Sequence, residues 1–439
     1  MSKQKSPKVI KKTKSKQFTT VSEIFNEINE LSKDKSHLDK ILKHTASDQE
    51  RFIHNQAKLR LRFKDKFQSF YSSKFLIYPP RINCEQSSSE TTAFYKVKNI
   101  IEIISRKSEI NKVLDGSCGF GLDSFEFAKY TKNVTSIDIN RDLIDINNYN
   151  ANIMNLNNIQ FFNSNFSDFL ENLIYDVNEN EIQKYDLIYL DPSRRDISGN
   201  KVFKIEDLEP NVIELLSKIK KVTKFAFIKF SPLIDITYLI KTFDNLTDIF
   251  IVEYDNELKE VLILLDFVLD VEQNISESNA KMNKNINIRL TQIKDLNKIK
   301  TNQFVFDKDF NLSQSTLNYS LPLNYIYEPS VGEMKLGYWS YLFNFFKISP
   351  NTNLFTSEIL DNQNENLLGK FYKIKYCGNI DKSIIEKMGI TKANIKVRNS
   401  ALSIDEAYKK LGIKNGGEEY IFLIKDLNNK NIMIICEKF

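Results

Sequence analysis

Between Asn111 and Phe267 the chain alternates short runs rich in β-branched and aromatic residues with stretches of helical periodicity. This alternation restricts the fold more than any other feature. Strand followed by helix, repeated, builds a parallel sheet with helices on both faces, because parallel neighbours can be joined only through a crossover. The pattern predicts strands at 112–115, 134–138, 159–162, 185–190 and 225–230, closed by a pair at 249–254 and 261–266. Asp255, Asn256 and Glu257 between the last two are too few for a crossover helix, so the seventh strand should enter antiparallel. The fold class expected is therefore α/β, with a seven-stranded sheet.

The flanks read differently. From Thr20 to about Phe70 apolar residues return at helical spacing, as in Val21, Ile24, Phe25, Ile28 and Leu31, then Leu38, Ile41 and Leu42, until Pro79-Pro80 breaks the pattern. Within it Arg51, Lys58, Arg60, Arg62, Lys64 and Lys66 form either a solvated helix face or an electrostatic footprint. Residues 272–300 are polar and read as a loose connection with one strand at 286–290. Beyond Tyr325 an aromatic stretch at 339–346 leads to strands at 371–376, 393–397, 420–425 and 431–436, with helical runs at 382–387 and 404–411. One or two small α+β modules are expected there. The boundaries drawn are a basic arm (1–19), a helical region (20–82), the α/β domain (83–270), a connector (271–324) and two C-terminal segments (325–368 and 369–439).

Composition excludes several kinds of function. The four cysteines lie far apart with no C-x-x-C pair, which argues for a reducing, cytoplasmic setting rather than a disulfide framework or zinc ribbon. The three histidines, His37, His44 and His54, all precede the α/β domain, so its chemistry must run without imidazole, and no metal is expected. No apolar run approaches the roughly 20 residues that span a bilayer. Seven lysines and no acid stand in residues 1–20 of a chain whose net charge is +5, which leaves the rest at −2. Such an arm is either a solvated tail or a contact for phosphate backbones.

The chemistry gathers at the first strand's end, in Val113-Leu-Asp-Gly-Ser-Cys-Gly-Phe-Gly121. Gly119 and Gly121 let backbone approach a ligand, and Asp138 closes the second strand where a carboxylate can accept from both ribose hydroxyls. Two nucleoside cofactor classes share that geometry. Ser124 stands where a dinucleotide site has Gly or Ala, and Asp115 would repel a pyrophosphate, so a cofactor with a cationic amino group is favoured.

With Asp191-Pro-Ser-Arg-Arg195 closing the fourth strand, the chain resembles class I S-adenosylmethionine-dependent methyltransferases, whose fourth motif is an acidic residue followed by proline. More closely it resembles a bacterial group of predicted RNA methyltransferases with a small ferredoxin-like segment and a C-terminal THUMP-like domain. The shared features are Glu85-Gln-Ser-Ser-Ser-Glu90, the Asp115 to Gly121 turn, Asp191 to Asp196, Lys229-Phe-Ser-Pro232, Asn256 to Glu260, Tyr327-Glu-Pro329 and Gly416-Gly417. The resemblance spans nearly everything after Phe52. It implies a Rossmann-like methyltransferase sheet, with 325–368 ferredoxin-like and 369–439 THUMP-like.

The resemblance also implies roles. Asp115 would accept the methionine ammonium, Gly119 and Gly121 cradle the methionyl part, Asp138 hold the ribose and Ile139 pack on adenine. Asn165 replaces an acid that meets the adenine amino group, and Ser117 replaces the turn's first glycine. Asp191 and Pro192 are the catalytic candidates, able to accept hydrogens from an amine or ring nitrogen and aim its lone pair. Ser193 stands where a pyrimidine C5 route needs Cys, and Arg194 and Arg195 where a base-stacking Pro-aromatic pair would stand. Arg194, Arg195, Lys229, Ser231, Ser88 and Glu90 are the substrate-side candidates, although Ser87-x-x-Glu90 also fits a capping box for a helix from Thr91. Cys118 reads as packing, and Trp339 as core.

The expected function is S-adenosylmethionine-dependent methylation of a base, at a nitrogen, in a structured RNA such as tRNA or rRNA. A protein or small-molecule methyltransferase and a non-catalytic RNA-binding or assembly factor with a vestigial pocket stay open as alternatives, as does the oligomeric state.

Overall fold

The computed structural model describes residues 20–33, 47–175, 185–193, 205–268, 285–308, 318–342, 344–360, 367–400 and 402–439. The basic arm, Leu38, Ile41, Leu42, Arg194 and Arg195 lie outside them. The chain forms two compact units, one of residues 1–193 and 209–225, the other of residues 194–208 and 226–439.

The first unit opens with α1 (Val21–Leu31), α2 (Asp48–Arg62), α3 (Gln68–Ser72), α4 (Arg81–Gln86) and α5 (Glu90–Ser105). Thr20 with Glu23 and Ser47 with Glu50 close capping boxes at the starts of α1 and α2. Phe25 and Ile28 then pack on Ile53 and Ala57. Half of the basic run at 51–66, which extends past α2, is engaged inside the unit. Buried Arg60 donates to the carbonyls of Phe70 and Ser73, Arg62 pairs with Glu85 at 3.0 Å, and Lys66 donates to the carbonyls of Cys84 and Glu85. These three serve the fold, so the run is no continuous footprint.

The α/β part follows as β1 (Lys112–Asp115), α6 (Leu122–Ala128), β2 (Asn133–Asp138), α7 (Arg141–Ile153), β3 (Ile159–Asn163), α8 (Phe166–Tyr175) and β4 (Tyr185–Leu190), with α9 (Val212–Val222). The strands lie in the order β3-β2-β1-β4, all parallel. Two amides fasten the helical region here: Gln56 exchanges hydrogen bonds with the backbone of Tyr78, and Asn150 of α7 with that of Ile77. Each amide imitates a strand neighbour for an extended segment that has none.

β5 (Thr223–Phe230) passes into the second unit, which adds α10 (Ile236–Thr242), β6 (Leu246–Tyr254), β7 (Glu257–Asp266), β8 (Asn285–Asp295) and β9 (Lys298–Asp307). The strand order is β5-β7-β6-β8-β9, and β7 runs antiparallel to β6 as the short link requires. The expected loose connection with a single strand is corrected: it contributes β8, parallel to β6, and the hairpin partner β9. The alternation Ile286, Ile288, Leu290 is buried in β8, whereas β9 is an edge strand with mostly polar outward residues, which disguised it as a loop.

A second sheet combines β10 (Tyr325–Glu328), β11 (Phe346–Ser349), β12 (Thr352–Ser357), β13 (Lys370–Gly378), β14 (Lys392–Arg398), β15 (Lys414–Lys425) and β16 (Asn431–Lys438), in the order β11-β12-β10-β13-β16-β15-β14. Because β10 pairs with β13, one sheet runs across the junction drawn at 368 and 369. α11 (Val331–Leu336) follows β10, while α12 (Lys382–Lys387) and α13 (Ile404–Leu411) cover one face through Ile385, Ala407 and Leu411 against Ile421, Leu423, Met433 and Ile435. Trp339 is core, its ring 4.9 Å from Phe355. Among the described residues no helix is long and apolar enough to cross a membrane.

Candidate active site

In the first unit β1 has β2 on one side and β4 on the other, so the crossovers leave in opposite directions and a crevice opens at the strands' carboxyl ends. Asp115 lies opposite Ser136 of β2 and Tyr189 of β4, so Asp138 and Asp191 each come two residues past its partners. Three carboxylates far apart in sequence therefore end at one rim.

The turn after β1 is held by backbone from both sides: Gly116 N–H donates to Tyr189 at 3.0 Å and Cys118 N–H to Ile137 at 2.8 Å. A Cβ on Gly116 would sit 2.5 Å from the Phe166 ring, so this position has no room for a side chain. Gly119 (φ 53°) and Gly121 (φ 80°) are left-handed. A Cβ on Gly121 would press on Asn147 at 3.0 Å, whereas one on Gly119 would meet nothing within 4 Å, which marks the open side of the turn. Asn147 donates to the Gly119 carbonyl at 2.9 Å and fixes the loop from α7.

Asp115 is fully buried. Its carboxyl accepts from Ser124 Oγ at 2.5 Å and from the Ser117 N–H at 3.1 Å, and Ser136 Oγ donates on to Ser124 at 2.9 Å. Burial pushes the group up to about 7; the Ser124 hydrogen bond opposes the rise, and the nearby Asp123 and Asp191 add to it. A cation arriving there would restore the carboxylate. Asp138 receives the N–H groups of Gly119 and Asn140, both at 2.8 Å, and burial raises its pKa also. Ile139, beside it, is 74% exposed. A cation for Asp115, hydroxyls for Asp138 and a flat apolar ring for Ile139 describe a ligand that these residues fit. Asn165 uses its carbonyl oxygen to accept from the Ser167 N–H at 2.8 Å, in the first turn of α8.

Beneath the turn lies a buried polar cluster. Lys96 Nζ donates to Ser88 Oγ at 2.7 Å and to Asp123 at 3.2 Å, and Tyr189 donates to Asp123 at 2.8 Å. Ser88 is thus inside the support of the turn. Glu90 accepts from the Ser69 N–H at 2.9 Å and Ser69 Oγ at 2.6 Å, tying α5 to α3. The capping box expected from Ser87 and Glu90 is corrected: Ser89 caps α5, paired with Thr92, because Glu90 is drawn to α3. Pro192 is buried behind Asp191, and Ser193 is exposed and bridges to Glu209. In the second unit Lys229, the last but one residue of β5, has its ammonium 3.9 Å from Glu260, and Ser231 Oγ accepts from the Leu233 N–H at 3.2 Å. Buried Cys118 is a packing residue, its thiol pushed up by burial.

Of the parts of the site, the sequence reading missed Asn147, Ser136 and Lys96, and took Ser117 only as the replacement of the turn's first glycine. A signal existed for two of them. Ser117 occupies a glycine position, and Lys96 falls on the apolar stripe Ala93, Val97, Ile100, Ile104 of α5, where a charge must find a buried partner.

Residues 107–229 match a family model described as a methyltransferase domain, and residues 369–438 one described as THUMP domain-like. A curated relative, an uncharacterised RNA methyltransferase of Nanoarchaeum equitans (strain Kin4-M), is 26% identical over 183 residues. That match spans 38% of this chain and 38% of the relative. The crystal structure of a proposed methyltransferase from Porphyromonas gingivalis W83 shares the fold, with a TM-score of 0.74 at 20% identity over 95% of this chain and 98% of that one.

Proposed function

We propose that this chain, which carries a methyltransferase domain and a C-terminal THUMP-like domain, moves a methyl group from S-adenosylmethionine to a base nitrogen of a structured RNA such as tRNA or rRNA. The observation that carries the reading is Asp115, a fully buried acid bonded to a hydroxyl and a backbone N–H, set beside the open face of Gly119 and on one rim with Asp138 and Asp191. When bound, S-adenosylmethionine supplies a methyl group on a sulfonium, already activated for in-line displacement. Asp115 holds the ammonium, Gly119 and Gly121 shape the cradle, Asp138 takes the ribose hydroxyls and Ile139 covers the adenine.

Asp191 then accepts a hydrogen from the acceptor nitrogen and directs its lone pair along the line of displacement, with Pro192 fixing the backbone behind it. The proton that the acceptor nitrogen gives up on methylation would pass to Asp191 or to solvent. Positioning of this kind can supply most of the rate when the nucleophile is already neutral. RNA as the substrate is supported by the THUMP-like domain and by the name of the curated relative. Asn165, Arg194, Arg195, Lys229 and Ser231 remain proposed ligand contacts, Asn165 toward the adenine and the others toward RNA, while Ser88 serves through its bond to Asp123 beneath the turn and Glu90 through its bonds to α3.

The test is nucleoside mass spectrometry of tRNA and rRNA from a strain lacking the gene. One methylated nucleoside should disappear, return with the wild-type gene, and stay absent with Asp191→Ala. An unchanged nucleoside inventory in both RNA classes contradicts the reading.

A further inference from the structure

We infer that Ser117 is a positioning residue that couples the cofactor turn to the acceptor side of the site; the inference rests on Asp191 being the residue that meets the acceptor. The last backbone rung between β1 and β4 is the bond from Gly116 N–H to Tyr189. Beyond it the chain turns away toward Gly119, and the next amide of the β4 side, that of Asp191, donates instead to a side chain, Ser117 Oγ, at 2.7 Å. The same serine donates its own N–H to Asp115 Oδ1 at 3.1 Å. One residue thus holds the cation-accepting carboxylate with its backbone and the backbone of Asp191 with its hydroxyl.

The arrangement has a mechanical consequence. Asp191 is the first residue past β4 and Pro192 follows with no N–H to donate, so the Ser117 hydroxyl holds the Asp191 amide on the β1 side, and the chain is next held at Ser193, which is paired with Glu209. Without the Ser117 hydroxyl the Asp191 carboxylate would keep its chemistry and lose its registration against the turn. Misplacement by about 1 Å is enough to cost on the order of 100-fold in rate. Cofactor affinity should hardly change, because Asp115 keeps the N–H of residue 117 whatever its side chain.

The experiment uses the full chain with Ser117→Ala, Ser117→Gly and Ser117→Thr, the last keeping a hydroxyl. Three readouts are taken: amide exchange in the segment 188–193, S-adenosylhomocysteine affinity by calorimetry, and single-turnover methyl transfer to RNA. The alanine and glycine variants should exchange the Asp191 amide at least about tenfold faster, bind within about threefold of wild type and transfer at least about tenfold more slowly. Threonine should restore exchange and rate together. Unchanged exchange in the alanine and glycine variants overturns the inference, as does an affinity loss equal to the rate loss. A wild-type protein that binds the cofactor product and methylates no RNA overturns the functional reading instead, and exchange with affinity still decides the role of Ser117.

Discussion

A carboxyl group buried as completely as that of Asp115 ionises reluctantly, and burial that pushes it up to about 7 would make the proposed binding of an ammonium there a proton-linked event. The free site holds more protons than the occupied one, since a bound ammonium needs the carboxylate. Affinity for S-adenosylmethionine should therefore fall as pH drops below about 7, approaching tenfold per pH unit, with Asp138, also raised by burial, acting in the same direction. Above about 8 it should fall again as the ligand's own α-amino group loses its proton. Calorimetry at pH 6.5 in two buffers of different ionisation enthalpy should show proton release, and Asp115→Asn should abolish it. Asp138→Ala should weaken binding by roughly 2 to 4 kcal/mol, since charge-assisted bonds are removed and the Gly119 N–H is freed as well. Unchanged affinity in a folded mutant would remove Asp138 from the cofactor's ribose. Asp191→Ala should lower turnover far more than cofactor affinity, and equal losses would move Asp191 into the cofactor site. The rim positions of these three acids were legible because strand ends are legible. Ser136 and Asn147 were not, and Ser117 was legible as a glycine replacement but not as the partner of Asp191, because a hydroxyl or amide gains its role only from the partner that folding brings.

Between elements, the Lys96–Asp123 pair is a buried ion pair that ties α5 to α6. The lysine side chain is fully buried and the aspartate 10% exposed, so each charge depends on the other and on Ser88 and Tyr189. Lys96→Met should destabilise the fold by about 3 to 5 kcal/mol, because it strands Asp123 without its cation, and adding Asp123→Leu should recover much of the loss. Denaturant melts of the single and double variants check this; a double variant no better than the single would show that the pair is not the source. The aromatic cluster of Phe67, Phe70 and Tyr78 around Phe120 likewise seats the helical region against the turn itself, with Phe67 and Phe120 centroids 5.2 Å apart. Alternation revealed β1 to β7 with ends shifted by a few residues at most, since buried parallel strands are nearly continuous in apolar residues. It failed at the edge strands β9 and β11, and at β12, which lies between β11 and β10 but is only six residues long, with Thr352, Asn353, Thr356 and Ser357 reading as loop. The cap of α5 was misplaced by two residues because Ser87, Ser88 and Ser89 are chemically alike, and only the demand of α3 for Glu90 separates them.

At the scale of the whole molecule the chain carries the proposed cofactor site in one compact unit and the THUMP-like residues in the other. The seven lysines of the arm have no neighbouring acid and no apolar pattern, so any contact they make should be electrostatic and blind to sequence. Deleting residues 2–17 should flatten the plot of log affinity against log salt by about 0.7 for each phosphate of single-stranded RNA that the arm neutralises, while turnover at saturating RNA stays nearly intact. Filter binding across a salt series checks it, and identical slopes would return the arm to a solvated tail. The central claim is that the rim of Asp115, Asp138 and Asp191 transfers a methyl group to RNA. Its most direct test incubates the purified full chain with radiolabelled S-adenosylmethionine and total RNA, with and without RNase, followed by nucleoside chromatography. The account predicts label in RNase-sensitive material, released as a single methylated nucleoside and absent with Asp191→Ala. Label that survives RNase and follows protein, or no label from a chain that binds S-adenosylmethionine normally, would contradict it.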